Sequence, residues 1–281
     1  MDATSTQQLR SLLGRARFEV LPTHGVLDRV DALPTGTTVT VTSSPSRGPE
    51  TTVDVAEDLA ARGMHAVPHL AARQVVGTSQ LSSLLDRIHD AGVSEVFVIA
   101  GDGPTPAGPF PDALALLRAI TDSGRRPSRI GITGYPERHS AISDEDLVEA
   151  MERKSVHADY VVSQICYDSQ TIGDWLTAVR RRGIDLPVYI GIPGSVDVTR
   201  LLRISLKIGL GDSMRFLRKQ RGGLGKLLSR YTADDVVEQL SPYLLEPWYD
   251  VAGWHLFTFN EVATTARWRD DLAARIEEVP A

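Results

Sequence analysis

One cysteine in 281 residues, Cys166, cannot close an internal disulfide, so the chain reads as a protein of a reducing compartment. No apolar run approaches the ~18 residues that a bilayer-spanning helix needs. The N-terminal MDATSTQQLRSLLGRAR also lacks the apolar stretch of a secretory signal, and a cytoplasmic location is expected. Positive charge is in deficit: 30 Lys and Arg stand against 36 Asp and Glu, for a net charge of -6. That balance argues against duplex nucleic acid or an anionic membrane as the main partner. The histidines find no cysteine partners and no metal site is expected. A Gly-x-Gly-x-x-Gly fingerprint after the first apolar run is missing too, which counts against an open doubly wound sheet.

What is present is a repeated pattern. Eight short Val-, Ile- and Phe-rich runs read as strands: Arg17–Leu21, Thr38–Thr42, His65–Pro68, Glu95–Ala100, Arg129–Thr133, Asp159–Gln164, Pro187–Ile190 and His255–Thr258. Most lack polar alternation, as parallel strands covered on both faces do. Helical patterns lie between them. Thr51–Arg62, Ser79–Ala91 and Gln170–Arg182 stop at Gly63, Gly92 and Gly183, while Ser143 and Thr232 open others. Eight strand–helix repeats close into a (β/α)8 TIM barrel, one domain over residues 1–281, with right-handed crossovers. The long gap between the seventh and eighth strands holds a basic amphipathic stretch, Leu201–Arg221, and Gly222-Gly-Leu-Gly225, so extra helices are expected there.

Six of the runs close on residues able to do chemistry: Glu19, Thr42, His69, Asp102, Tyr135 and Gln164, spaced roughly 20 to 35 residues apart. On parallel strands these share the rim where barrel enzymes build active sites. Glu19, inside an apolar run, is either a carboxyl whose burial lifts its pKa toward neutrality, suited to giving a proton, or the ion-pair partner of an arginine such as Arg17. Asp102 lies between two glycines that let backbone approach a flat ligand, or in an ordinary Asp-Gly turn. Thr133-Gly-Tyr-Pro-Glu-Arg-His139 can offer Tyr135 and His139 to an aromatic cofactor, or form a structural turn. Gln164 can bond a heterocycle edge or cap backbone. Arg215, Arg218 and Lys219 read as a solvated helix face or as a site for an anionic tail.

The ordered set of short matches resembles methylenetetrahydrofolate reductase in its bacterial single-domain form. The matches are Phe18-Glu19, Val39-Thr-Val-Thr42, Pro68-His69-Leu70, Gly101-Asp102, Tyr135-Pro-Glu-x-His139, Arg153-Lys154, Ser163-Gln164, Ile192-Pro-Gly194 and His255-Leu-Phe-Thr258-x-Asn260. The resemblance implies FAD at the rim, NADH or NADPH as hydride donor, and a folate substrate, with methyltetrahydrofolate as product for methionine synthesis. It implies Glu19 as general acid and Asp102 between flavin and pterin, with Gln164 and Asn260 on the folate. Thr42, His69, Gly101, Phe110, Tyr135, His139, Arg153 and Lys154 would line the flavin and its phosphates. The chain departs from the family at Ala100, where arginine is usual before Gly-Asp, at Asp102-Gly-Pro104 for Asp-Pro-Pro, at His157-Ala-Asp159, and at Glu261, where arginine is common. These departures leave open a flavin-free reductase, another tetrahydrofolate-linked one-carbon enzyme such as a demethylase, or a non-catalytic flavin- or folate-binding paralogue. A homo-oligomer is also open.

Overall fold

In the computed structural model, which describes residues 3–102, 105–137, 142–207 and 230–278, eight parallel strands close into a barrel. The strands are β1 (Arg17–Val20), β2 (Thr38–Val41), β3 (His65–Ala71), β4 (Glu95–Ile99), β5 (Arg129–Gly134), β6 (Tyr160–Ser163), β7 (Val188–Pro193) and, after a two-stranded excursion, β10 (Val251–Phe257). β10 pairs with both β1 and β7 and shuts the ring. The expected fold class is the one observed. Three strands run three or more residues further than the sequence implied. β3 continues through Pro68 to Ala71, β7 continues to Pro193, and β10 begins four residues early at Val251, with a register irregularity at Gly253.

Helices α1 (Ala3–Gly14), α2 (Val26–Val30), α3 (Gly48–Ala61), α4 (Thr78–Asp90), α5 (Ala113–Asp122), α6 (Asp144–Ser155) and α7 (Ser169–Arg181) precede or separate the first seven strands. Gly63, Gly92 and Gly183 follow α3, α4 and α7 with φ of 77°, 71° and 74°, the left-handed stop that glycine adopts without penalty. Ser143 caps α6 by accepting from the amide of Asp146. Thr232 does not cap α9 (Asp234–Leu245); the N-cap position belongs to Ala233, and the Thr232 hydroxyl donates to Asp234 instead. Between β7 and β10 the chain adds the antiparallel pair β8 (Val196–Asp197) and β9 (Arg230–Tyr231) and the helix α8 (Val198–Lys207). The remainder of the predicted basic stretch, with Arg215, Arg218, Lys219 and the glycine run, lies outside the described residues. The closing helix α10 (Val262–Glu278) packs along α1.

Period-two alternation decides what each strand gives to the barrel interior. On β1, Phe18 and Val20 face the helices, Phe18 lying under the Arg269 guanidinium of α10, whereas Arg17 and Glu19 face inward. The lower interior is a polar–aromatic plug. Arg17, buried at the start of β1, pairs with Glu95, donates to the Tyr160 hydroxyl, and sits over the rings of Tyr160 and Tyr189. Above it, Val67, Phe97, Tyr160 and Val162 form an apolar cluster separate from the larger core between sheet and helices. Among the described residues no helix is long and apolar enough to cross a membrane.

Candidate functional site

One inward position up from the start of β1, Glu19 meets imidazoles from two other strands. Oε2 of Glu19 lies 3.1 Å from Nε2 of His255 on β10 and 3.9 Å from Nε2 of His69 on β3. Burial raises the Glu19 carboxyl to about 7, against the partial opposition of His69. Burial lowers His69 to about 4 and His255 to about 3, with the Arg17 charge below adding to the depression of both. At neutral pH the cluster is therefore two neutral imidazoles around a carboxyl poised between its two states. Arg17 is not the partner of Glu19. Its guanidinium is committed to Glu95. His65 and His69 have the four-residue spacing that brings ligands together on a helix; on a strand it separates them by about 13 Å, and His65 is exposed.

The other rim residues follow strand ends in order. Thr42, half-buried after β2, donates its amide to Val20 and so ties the ends of β1 and β2. Gly101, after β4, has φ of 90°, and a methyl group there would come within 3.1 Å of the Ala71 Cβ at the end of β3. Asp102 beside it is exposed. The Tyr135 phenol after β5 is pushed above its ordinary range by burial and by the Asp102 charge, which puts these two functional groups in one electrostatic neighbourhood. Gln164, half-buried after β6, accepts from the amide of Ile165 through Oε1. Lys154 is half-buried near the end of α6. Burial lowers its ammonium to about 8, while Asp112, the N-cap of α5, faces it and opposes that shift. A cavity of about 240 Å³ opens beside this rim. It is lined by Thr133 and Tyr135, by Leu147 and Met151 of α6, and by Trp175 and Arg182 of α7 and its C-cap; Glu19 and the two histidines are not among its walls.

Three of the residues singled out from the sequence have other work. Phe110 is buried in the core between sheet and helices. Arg153 is exposed and pairs with Glu149 one turn back on α6. Asn260 is buried and its amide is fully engaged: Oδ1 accepts from the Leu21 amide, and Nδ2 donates to the Leu21 carbonyl and the Thr23 hydroxyl. Asn260 thereby braces the exit of the strand that carries Glu19. His139 lies outside the described residues. Sequence reasoning missed His255 as a site residue. The signal was available in the alternation of β10, where Gly253, His255 and Phe257 share the inward face. Glu261, the departure noted from the sequence, pairs with Arg200 of α8 at 2.8 Å and with Arg230 of β9 at 3.6 Å, so it fastens both limbs of the excursion.

The methylenetetrahydrofolate reductase family model matches residues 24–207. Methylenetetrahydrofolate reductase 2 of Saccharomyces cerevisiae is 26% identical over 148 residues, 49% of this chain and 24% of that protein. Methylenetetrahydrofolate reductase 1 of Schizosaccharomyces pombe is 28% identical over 127 residues, 42% of this chain and 21% of that protein. The NADH-named reductase 1 of Arabidopsis thaliana is 24% identical over 144 residues, 45% of this chain and 24% of that protein. The matched stretch is thus about a quarter of the length of these relatives. Among solved structures, an uncharacterized Clostridium thermocellum protein that binds two copies of 5-methyl-5,6,7,8-tetrahydrofolic acid superposes with a TM-score of 0.62. The two are 12% identical, with 96% of this chain and 98% of that one covered, and the likeness is one of fold. The family match begins after Glu19 and ends before His255, so these two enter the site by geometry rather than by that match.

Proposed function

This chain belongs to the methylenetetrahydrofolate reductase family, and from that premise we propose that it reduces 5,10-methylenetetrahydrofolate to 5-methyltetrahydrofolate with hydride from NADH or NADPH. The observation that carries the reading is Glu19, a half-buried, desolvated carboxyl held near neutrality beside neutral imidazoles. The substrate's reacting carbon is bridged between two nitrogens. Opening the five-membered ring requires a proton on the departing nitrogen as its C–N bond breaks, which leaves an iminium at the other nitrogen to accept hydride. A carboxyl with its pKa near 7 holds that proton at working pH and still releases it. Gln164 at the next-but-one strand end from Gly101-Asp102 offers an amide for the pterin edge, and Asp102 a charge beside the same ring system.

The residues at the rim fit a flavin. His69 carries a buried Nε2 with no hydrogen-bond partner among the described residues, Tyr135 presents its phenol, and Gly101 removes a side chain where β3 and β4 end. Thr42 stands at the next strand end, and Lys154 brings a partly desolvated ammonium toward the N-terminus of α5, where phosphates are readily held. Bound FAD supplies a carrier that takes hydride from the nicotinamide and gives it to the folate. The residues of the chain itself orient the rings, exclude water from the barrel mouth and hold the proton on Glu19. A second reading, hydride passing directly from nicotinamide to folate, is favoured by one observation: Ala100, where the family resemblance implies arginine, is exposed and offers the rim no cation.

A visible absorption spectrum of the purified protein, taken before and after anaerobic NADH and then methylenetetrahydrofolate, tests both. Flavin bands that bleach and return support the first. A colourless protein that oxidises NADH only with the folate present supports the second, and no response to either removes the reductase reading. Glu19→Gln is expected to lower folate reduction by about 10²–10⁴-fold while sparing NADH oxidation by a quinone acceptor. Equal loss of both half-reactions would count against the acid role.

A further inference from the structure

Among the described residues, Glu19 uses only one of its two carboxyl oxygens. Oε2 is the atom within hydrogen-bond reach of His255, at 3.1 Å, whereas His69 at 3.9 Å is beyond it. Oε1 makes no hydrogen bond among the described residues. The His255 ring is 2% exposed, and its other nitrogen, Nδ1, is buried without a partner among the described residues. A neutral imidazole carries one N–H. A buried N–H with no acceptor costs more than a buried lone pair with no donor, so the proton belongs on Nε2, where Glu19 accepts it.

We propose that His255, held as its Nε2–H tautomer, is a positioning residue whose donation to Oε2 fixes the Glu19 carboxyl and confines the transferable proton to Oε1. The opposite tautomer would bury an N–H without an acceptor at Nδ1, and would direct the carboxyl proton to His255 rather than to a substrate. The groups facing Glu19 are His255 from β10, His69 from β3 and the Thr40 register partner on β2, with Arg17 one inward position below. A cation so close beneath both rings also works against a charged His255, which would need to keep two N–H groups satisfied where, among the described residues, Glu19 alone is at hand. The inference rests on the acid role of Glu19 proposed above.

Its test does not use turnover. Histidine ¹⁵N spectra of the full chain, with the His255 signals assigned by their loss in His255→Gln, report the tautomer directly. The Nε2–H pattern at neutral pH is expected; an Nδ1–H or a doubly protonated ring overturns the proposal. The Glu19 carboxyl is then titrated by ¹³C, assigned by its loss in Glu19→Gln. Removing the donor in His255→Phe disfavours the carboxylate and is expected to raise its proton affinity about tenfold. His255→Gln, whose amide can donate to the same oxygen, should stay within about twofold of the parent. An unchanged titration in His255→Phe overturns the clamp. Should that variant not fold, the tautomer of the unaltered chain still decides. If the clamp is seen and the protein does not reduce folate, it is the reductase reading that falls.

Discussion

Asn260 illustrates how a residue can matter to a site without touching a ligand. It stands at φ of 65°, a left-handed conformation that asparagine tolerates better than most, and its amide satisfies both main-chain groups of Leu21. Asn260→Ala is expected to cost about 2–4 kcal/mol, from the orphaned Leu21 amide and the strained backbone together. Urea unfolding should show a lower midpoint at unchanged slope. The sequence could not assign this role, because the partner lies 239 positions away and only barrel closure brings the two together. Glu19 was more legible: an ionisable group amid Phe, Val and Leu announces burial by itself. What stayed hidden was its company. Arg17 is a near neighbour in sequence, yet one full strand repeat carries it down to Glu95, while the actual neighbours come from β3 and β10.

Elements were legible where local signals agree with one another. The glycines after α3, α4 and α7 and the Ser143 cap of α6 act through backbone geometry within a few residues, so the sequence holds all of the information. Strand ends depend on pairing. β10 gains Val251–Trp254 because β7 offers a partner along that length, although Gly253 breaks the register there and the period-two pattern with it. The same dependence on neighbours sets Gly131 on β5: a Cβ at that position would lie 2.2 Å from the Tyr160 ring, which Arg17 and Tyr189 already confine. Gly131→Ala is expected to destabilise by about 2 kcal/mol or more, since the ring has no free side to move to. Thermal unfolding measures the loss, and a changed near-ultraviolet dichroism of the tyrosines identifies its cause. The excursion was foreseen as added helix. Its fastening by Glu261 was not, because the departure from the family's arginine makes sense only once Arg200 and Arg230 are seen on either side.

At the scale of the whole molecule, the buried ionisable groups make stability depend on pH in two opposed ways. His69 and His255 titrate at about 4 and about 3 when folded, below the 6.5 of a free imidazole. The unfolded chain therefore binds more protons as pH falls, and stability present above pH 6.5 is lost toward pH 3, on the order of 3–5 kcal/mol per imidazole. Glu19 acts in the other direction. Its folded value of about 7 lies above the 4.5 of a free carboxyl, so the folded state gains stability as pH falls from 7 to 4.5. Urea titrations from pH 7 to 4 should show a net decline that is steeper in Glu19→Gln and shallower in His255→Gln. A slope unaffected by either change would mean that the cluster is solvated in solution.

The plug formed by Arg17, Glu95, Tyr160 and Tyr189 at the strand starts has a bearing on traffic. It makes the barrel a vessel with one mouth: whatever meets Glu19 arrives past the strand ends and must back out the same way. Two bulky reactants cannot queue from opposite sides of such a vessel. They share a single doorway, and the order of entry and exit becomes a matter of turn-taking imposed by architecture before any chemistry begins.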